Sequence, residues 1–127
     1  MSIAAETVSR AYKNITSSDS TATDYEIVSG STTEGKSITA LWISNQDTIQ
    51  HIVKLTLQCF NGSSYDNALV KSYTLQAGTA IAAPEFLVPL TYRNDGNHDK
   101  ILVQIAESVS SSKTVHVFCA GAAFTAS

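Results

Sequence analysis

HIVKLTLQCF, residues 51–60, carries an apolar side chain at every second position, with Val53, Leu55, Leu57 and Cys59 on one side and Lys54, Thr56 and Gln58 on the other. A period of two is that of a pleated strand with one buried face, whereas a helix would repeat at 3.6. The first row is the core side, because burying Lys54 or Gln58 would strand their polar groups; Phe60 therefore ends the outward row.

The same alternation recurs on both sides of this segment. In KILVQIAES (100–108), Ile101, Val103 and Ile105 point inward while Lys100 and Gln104 point outward. In TVHVFCAG (114–121), Val115, Val117 and Cys119 point inward, which turns His116 and Phe118 outward. In ALWISN (40–45), Leu41 and Ile43 facing the core would place Trp42 outside. Strands are expected near 8–15, 24–29, 37–45, 51–60, 68–75, 85–91, 100–106 and 114–124. Between them lie the turn-rich segments SSDSTATD, SGSTTEG, NQDT, NGSSYDN, QAGTAIAA, RNDGNHD and SVSSSK. About eight short strands at this spacing predict an all-β chain: a single antiparallel β-sandwich, jelly-roll-like. No helix of useful length, internal repeat or linker is visible.

A chain of 127 residues suits one domain, 1–127, with 1–30 read as an extended N-terminal arm or edge segment. Eight Lys and Arg, scattered singly, against eleven Asp and Glu leave a formal charge of −3 and no basic stripe, so nucleic acid is not an expected partner. No apolar run approaches the roughly 20 residues that span a bilayer, and MSIAAETVSR lacks the layout of a signal peptide. No membrane association is expected, and the sequons at Asn14 and Asn61 carry no glycosylation reading without a secretory route. The two cysteines, Cys59 and Cys119, each close an alternating apolar row and lack CxxC spacing; they read as buried free thiols, a disulfide being open only if their strands are neighbours.

The outward rows leave Trp42, Phe60 and Phe118, with His116, on a face that water should cover. Three readings stay open at this point. Segment 1–30 folds over that face and makes a second core, or the cluster is an oligomer or partner interface, or it is a ligand platform. A sugar-binding platform would use Trp42, Tyr65 and Tyr92, stacking the apolar faces of sugars on aromatic rings.

Catalytic motifs are absent: there is no G-x-S-x-G, H-E-x-x-H, phosphate loop or G-x-G-x-x-G. His51, His98 and His116 lie far apart, and Glu26, Glu34, Glu85 and Glu107 read as solvated surface charge. DGNHD (95–99) sets Asp95, Asn97 and Asp99 at the alternate positions that open a calcium loop. The later positions do not follow it. Lys100 stands where such a loop needs Gly, and Glu107 comes one place late for the bidentate Glu. The segment therefore reads as a turn in which Gly96 takes positive φ and Asp99 enters the next strand; Asp95, Asn97 and Asp99 remain weak metal candidates, and no cofactor is expected.

The order of these elements resembles a family of small jelly-roll-like β-sandwich virion proteins of tailed bacteriophages. The resemblance runs from residue 10 to 124 through SITALWISN with Asn45, HIVKLTLQCF, LVKSYTLQAGTAI, FLVPL, LTYRNDGNHDKILVQIAES and VHVFCAGAAF. It rests on strand and turn patterns rather than a catalytic motif. His98 precedes Asp99 where the family has Gly, and the turn before it is longer than usual. The resemblance implies a non-enzymatic structural protein of the virion, made in the host cytoplasm. Such a protein forms a homo-oligomer, a trimer being one fitting symmetry, and binds the major capsid protein as a decoration or cement subunit, or neck or tail proteins as an accessory. The outward cluster Trp42, Phe60, His116 and Phe118 would then supply the interface.

Overall fold

The computed structural model describes residues 6–91 and 96–125. Among these residues nine antiparallel strands follow one another: β1 (Glu6–Ile15), β2 (Tyr25–Ser29), β3 (Glu34–Asn45), β4 (His51–Phe60), β5 (Tyr65–Leu75), β6 (Ala80–Ala82), β7 (Pro89–Leu90), β8 (Lys100–Ile105) and β9 (Val115–Thr125). They form two sheets. One has the order β1-β9-β3-β6, with β7 also paired to β3, and the other has the order β2-β8-β4-β5. Counting β6 and β7 as the two halves of one interrupted strand, this is the strand order of a jelly roll, in which successive strands alternate between the sheets except at the central β4-β5 hairpin.

The core lies between the sheets and is built from the alternating rows. Val53 and Leu55 of β4 with Ile101, Val103 and Ile105 of β8 are buried on one sheet, and Val115, Val117 and Cys119 of β9 with Leu41 and Ile43 of β3 are buried on the other. Cys59 and Cys119 are both free thiols on opposite sheets, with Cys119 buried and Cys59 only partly so. Burial pushes the Cys119 thiol up to about 11.

The segment expected as one strand over 85–91 is instead interrupted. Pro84–Phe86 makes a 3-10 turn between β6 and β7. Pro84 and Pro89 have no N–H to give to a ladder, and the turn drops Phe86 fully into the core. Conversely, Ala80–Ala82, expected as loop, pairs with Ser44, Ile43 and Trp42 of β3. Thr56 also departs from its expected outward, wet position: it is buried, because its register partners on the outer face are Leu102 and Val70.

One close approach fixes the geometry of β3 against β9. The register of this pair shifts between Ile38 and Ala40, and the bulged β3 backbone then runs so near β9 that a Cβ at Gly121 would lie 1.8 Å from the Ser37 carbonyl oxygen. Only glycine fits there. Among the described residues no helix is long and apolar enough to cross a membrane.

Candidate interaction face

The outer face of the β1-β9-β3-β6 sheet follows from the inward burial of β9. With Val115, Val117 and Cys119 in the core, His116, Phe118 and Ala120 must stand on the opposite side. Strand register then decides their company. Phe118 pairs with Tyr12 on β1 and with Trp42 on β3, and Trp42 pairs in turn with Ala82 on β6. The result is a continuous cross-strand row Tyr12-Phe118-Trp42. One step along the strands, His116 lies between Asn14 and Ser44; one step the other way, Ala120 lies between Arg10 and Ala40.

The rings touch each other as well as lining up. Trp42 and Phe118 meet edge to face with centroids 6.3 Å apart, while His116 stacks on Tyr12 at 5.6 Å and on Phe118 at 6.5 Å. The ring of His116 is tied through Nδ1 to the Asn14 side-chain oxygen. Tyr12 and Trp42 are nevertheless 64% and 55% exposed, so neighbouring rings shield only their flanks and leave the outer faces of the row to solvent.

Two expectations from the sequence are corrected here. Phe60 does not join the cluster. It ends β4 in the other sheet, where its ring meets Tyr65 edge-on at 5.2 Å and Lys100 Nζ lies 4.4 Å over the Tyr65 ring. Its place is taken by Tyr12, which sequence reasoning missed because SRAYKNI (9–15) mixes polar and apolar residues across its alternating rows; the inward marker is Ile15, fully buried at the end of β1. Nor, among the described residues, does the N-terminal segment cover the face. Residues 6–15 are the sheet's own edge strand, and Tyr25–Ser29 belongs to the opposite sheet, so among the described residues there is no second core.

The other candidate sites have been dispersed by the fold. Trp42 and Tyr65 are on different sheets, and Tyr92 lies outside the described residues. Of the calcium-loop candidates, Asp95 also lies outside the described residues, and Asn97 is half-buried. Asp99 is buried, its carboxylate accepting from the Thr91 N–H at 3.2 Å and the Thr91 hydroxyl at 2.8 Å, while its carbonyl accepts from the Gly30 N–H at 3.0 Å. Gly96 has φ +83°, the turn conformation expected of it. Among the described residues no three His, Cys, Asp or Glu side chains group as metal ligands would.

Among the described residues, His51 makes the contact with the most catalytic look. Its Nε2 lies 2.8 Å from Asp47 Oδ2, and its Nδ1 lies 3.9 Å from Glu107 Oε2. The ring is fully buried, and no hydroxyl or thiol meets its Nδ1 among the described residues. A general base must reach a substrate proton, which this ring does not. It is a structural clasp at the end of the sandwich: Asp47 also accepts from the N–H groups of Thr48 and Ser110, and Asn45 donates to the carbonyls of Ile49, Leu75 and Gln76.

No family model matches the chain, and no curated protein matches its sequence. Among solved structures it is similar to a chain of the disulfide-linked pili of Bacillus endospore appendages, 13% identical, with a TM-score of 0.52 over 99% of this chain and 93% of that one. Chains from the Gx and Gt strains of infectious bursal disease virus match with TM-scores of 0.38 and 0.30 and identities of 14% and 8%. These cover 96% and 95% of this chain but 31% and 32% of theirs. At 13% identity the likeness to the appendage chain is one of fold: a β-sandwich of the same extent.

Proposed function

We propose that this protein is a non-enzymatic structural subunit of a virion, of the tailed-bacteriophage decoration or cement type, that oligomerises through the outer face of the β1-β9-β3-β6 sheet. The observation that carries the reading is the exposed aromatic row Tyr12-Phe118-Trp42 with His116 beside it. A monomer gains nothing by leaving Tyr12 and Trp42 more than half exposed on either side of Phe118, and a buried aromatic cluster is what the centre of a protein interface requires. The architecture supports the same reading, since a sandwich of this fold serves as a pilus chain in the Bacillus appendages. In this role the contact energy between subunits, and between subunit and capsid protein, adds to the stability of the shell by mass action.

Sedimentation and light scattering test it. The expected result is an oligomer that Trp42→Ala or Phe118→Ala converts to a folded monomer, together with binding of the wild-type protein to assembled capsids. A wild-type protein that stays monomeric at high concentration and ignores capsids would sink the reading. Retention on a glycan resin, lost in Trp42→Ala, would instead favour a carbohydrate-binding module; binding to neck or tail assemblies rather than capsids would move the protein to those parts of the virion.

A further inference from the structure

The geometry points to a second copy of this chain as the occupant of the aromatic face, docked face to face about a two-fold axis. The inference rests on the proposed oligomerisation and adds its symmetry and its contacts. Next to the ridge Tyr12-Phe118-Trp42 runs a parallel row, two residues along the strands, made of Arg10, Ala120 and Ala40. Ridge and shelf are therefore neighbours about 7 Å apart on one sheet face. Large side chains stand in the first, while in the second the methyl groups of Ala120 and Ala40 form a floor beside Arg10.

A two-fold axis running across the strands between these rows lays the ridge of one copy on the shelf of the other. It keeps each strand's lateral position, so Phe118 would seat on the partner's Ala120 and Trp42 on the partner's Ala40. Tyr12 would lie over the partner's Arg10, the sole charge in the two rows, where a guanidinium gains from an aromatic face. Each copy presents the same patch, as an isologous contact requires. Sheets packed this way interdigitate at the spacing of a sandwich core, with the strands of the two copies roughly aligned.

The area suffices. Three long strands and a short one, at about 4.8 Å spacing and about 3.4 Å per residue, give roughly 600 Å² per copy, or about 1,200 Å² in all. That is the lower bound of a specific interface. A strongly charged partner fits less well, because Arg10 is the one charge in the ridge and shelf rows.

Sedimentation equilibrium of the wild-type chain should give twice 13.5 kDa. Phe118→Ala opens a hole in the ridge and Ala120→Phe raises a bump on the shelf, so each alone should weaken the dimer at least tenfold. Mixed one to one, hole meets bump, and a heterodimer should form at close to wild-type affinity. Trp42→Ala with Ala40→Phe repeats the test on β3 should a β9 variant unfold by circular dichroism. A trimer or open polymer from the wild-type chain, or a mixture that stays monomeric, overturns the two-fold docking and leaves the structural role standing. A wild-type monomer overturns both.

Discussion

The Asp47 carboxylate accepts a 2.8 Å hydrogen bond from the ring of His51, and neither side chain has exposed surface. The pair closes one end of the sandwich, joining the β3-β4 turn to the start of β4 and, through the Ser110 N–H, to the β8-β9 connection. Burial by itself would raise the Asp47 carboxyl, but the bonds from His51 and from the N–H groups of Ser110 and Thr48 outweigh it and hold the group well below the usual carboxylate range. Its folded-state value is depressed, so its contribution to stability is fully present above the ordinary value of 3.8 and is lost as pH falls below it. Thermal denaturation between pH 6 and 2 should show wild-type Tm falling most steeply below about pH 4. Asp47→Ala should lower Tm at pH 7 by on the order of 10 °C and flatten that fall. A variant that keeps the full acid slope would show that another carboxylate carries it.

Asp99 is bound to Thr91 rather than poised for a cation. Removing its carboxylate leaves the Thr91 N–H and hydroxyl without their acceptor, so Asp99→Ala should cost about 1–3 kcal/mol in urea denaturation. Millimolar calcium should leave the wild-type Tm unchanged. A calcium-dependent rise in Tm that Asp99→Ala abolishes would restore the metal reading of DGNHD.

What the sequence made legible was set by how regular each segment's alternation is. HIVKLTLQCF forms β4 over the residues expected of it, and β9 turns His116 and Phe118 outward, because the inward rows Val53-Leu55-Leu57-Cys59 and Val115-Val117-Cys119 are uniformly apolar. The interrupted strand was not legible: AIA in β6 is too short to show a period, and the burial of Phe86 comes from tertiary packing around a Pro-bounded turn. Tyr65–Asn67 looked like turn, yet it extends β5 because Asn61 and Ser64 close the hairpin earlier, the Asn61 N–H donating to the Ser64 carbonyl at 2.9 Å. The face was legible in Trp42, His116 and Phe118, but assigning Phe60 to it needed knowledge of which strands share a sheet. Alternation reports a side chain's direction and not its sheet. Asp47 and His51 pair through a turn whose shape no local spacing encodes.

Gly121 carries the register of β3 on β9. Since an added Cβ would fall 1.8 Å from the Ser37 carbonyl oxygen, a backbone atom, no rotamer change relieves the contact. Gly121→Ala should destabilise the fold by about 3 kcal/mol, with the midpoint of urea unfolding lowered and the slope unchanged. Ala122→Gly, next to it on the outer side, should cost about 1 kcal/mol or less. Equal effects of the two would mean that the bulge relaxes around the new methyl group.

The two thiols should differ in their access to reagent more than in their chemistry. Cys119 is buried in the core with its thiol held up at about 11, so at pH 8 about one molecule in a thousand carries the thiolate. Cys59 is also raised, first by burial and then by the nearby carboxylates of Asp99 and Asp66, but it is partly accessible at the end of β4. A disulfide exchange reagent at pH 8 should therefore label Cys59 slowly in the folded protein and Cys119 only at the rate of unfolding. In Cys59→Ser the remaining signal should appear only with denaturant. Fast labelling of Cys119 without denaturant would mean that β9 opens locally, and since β9 joins β1 to β3 at the centre of the aromatic face, such opening would disassemble the row Tyr12-Phe118-Trp42 on which the proposed assembly depends.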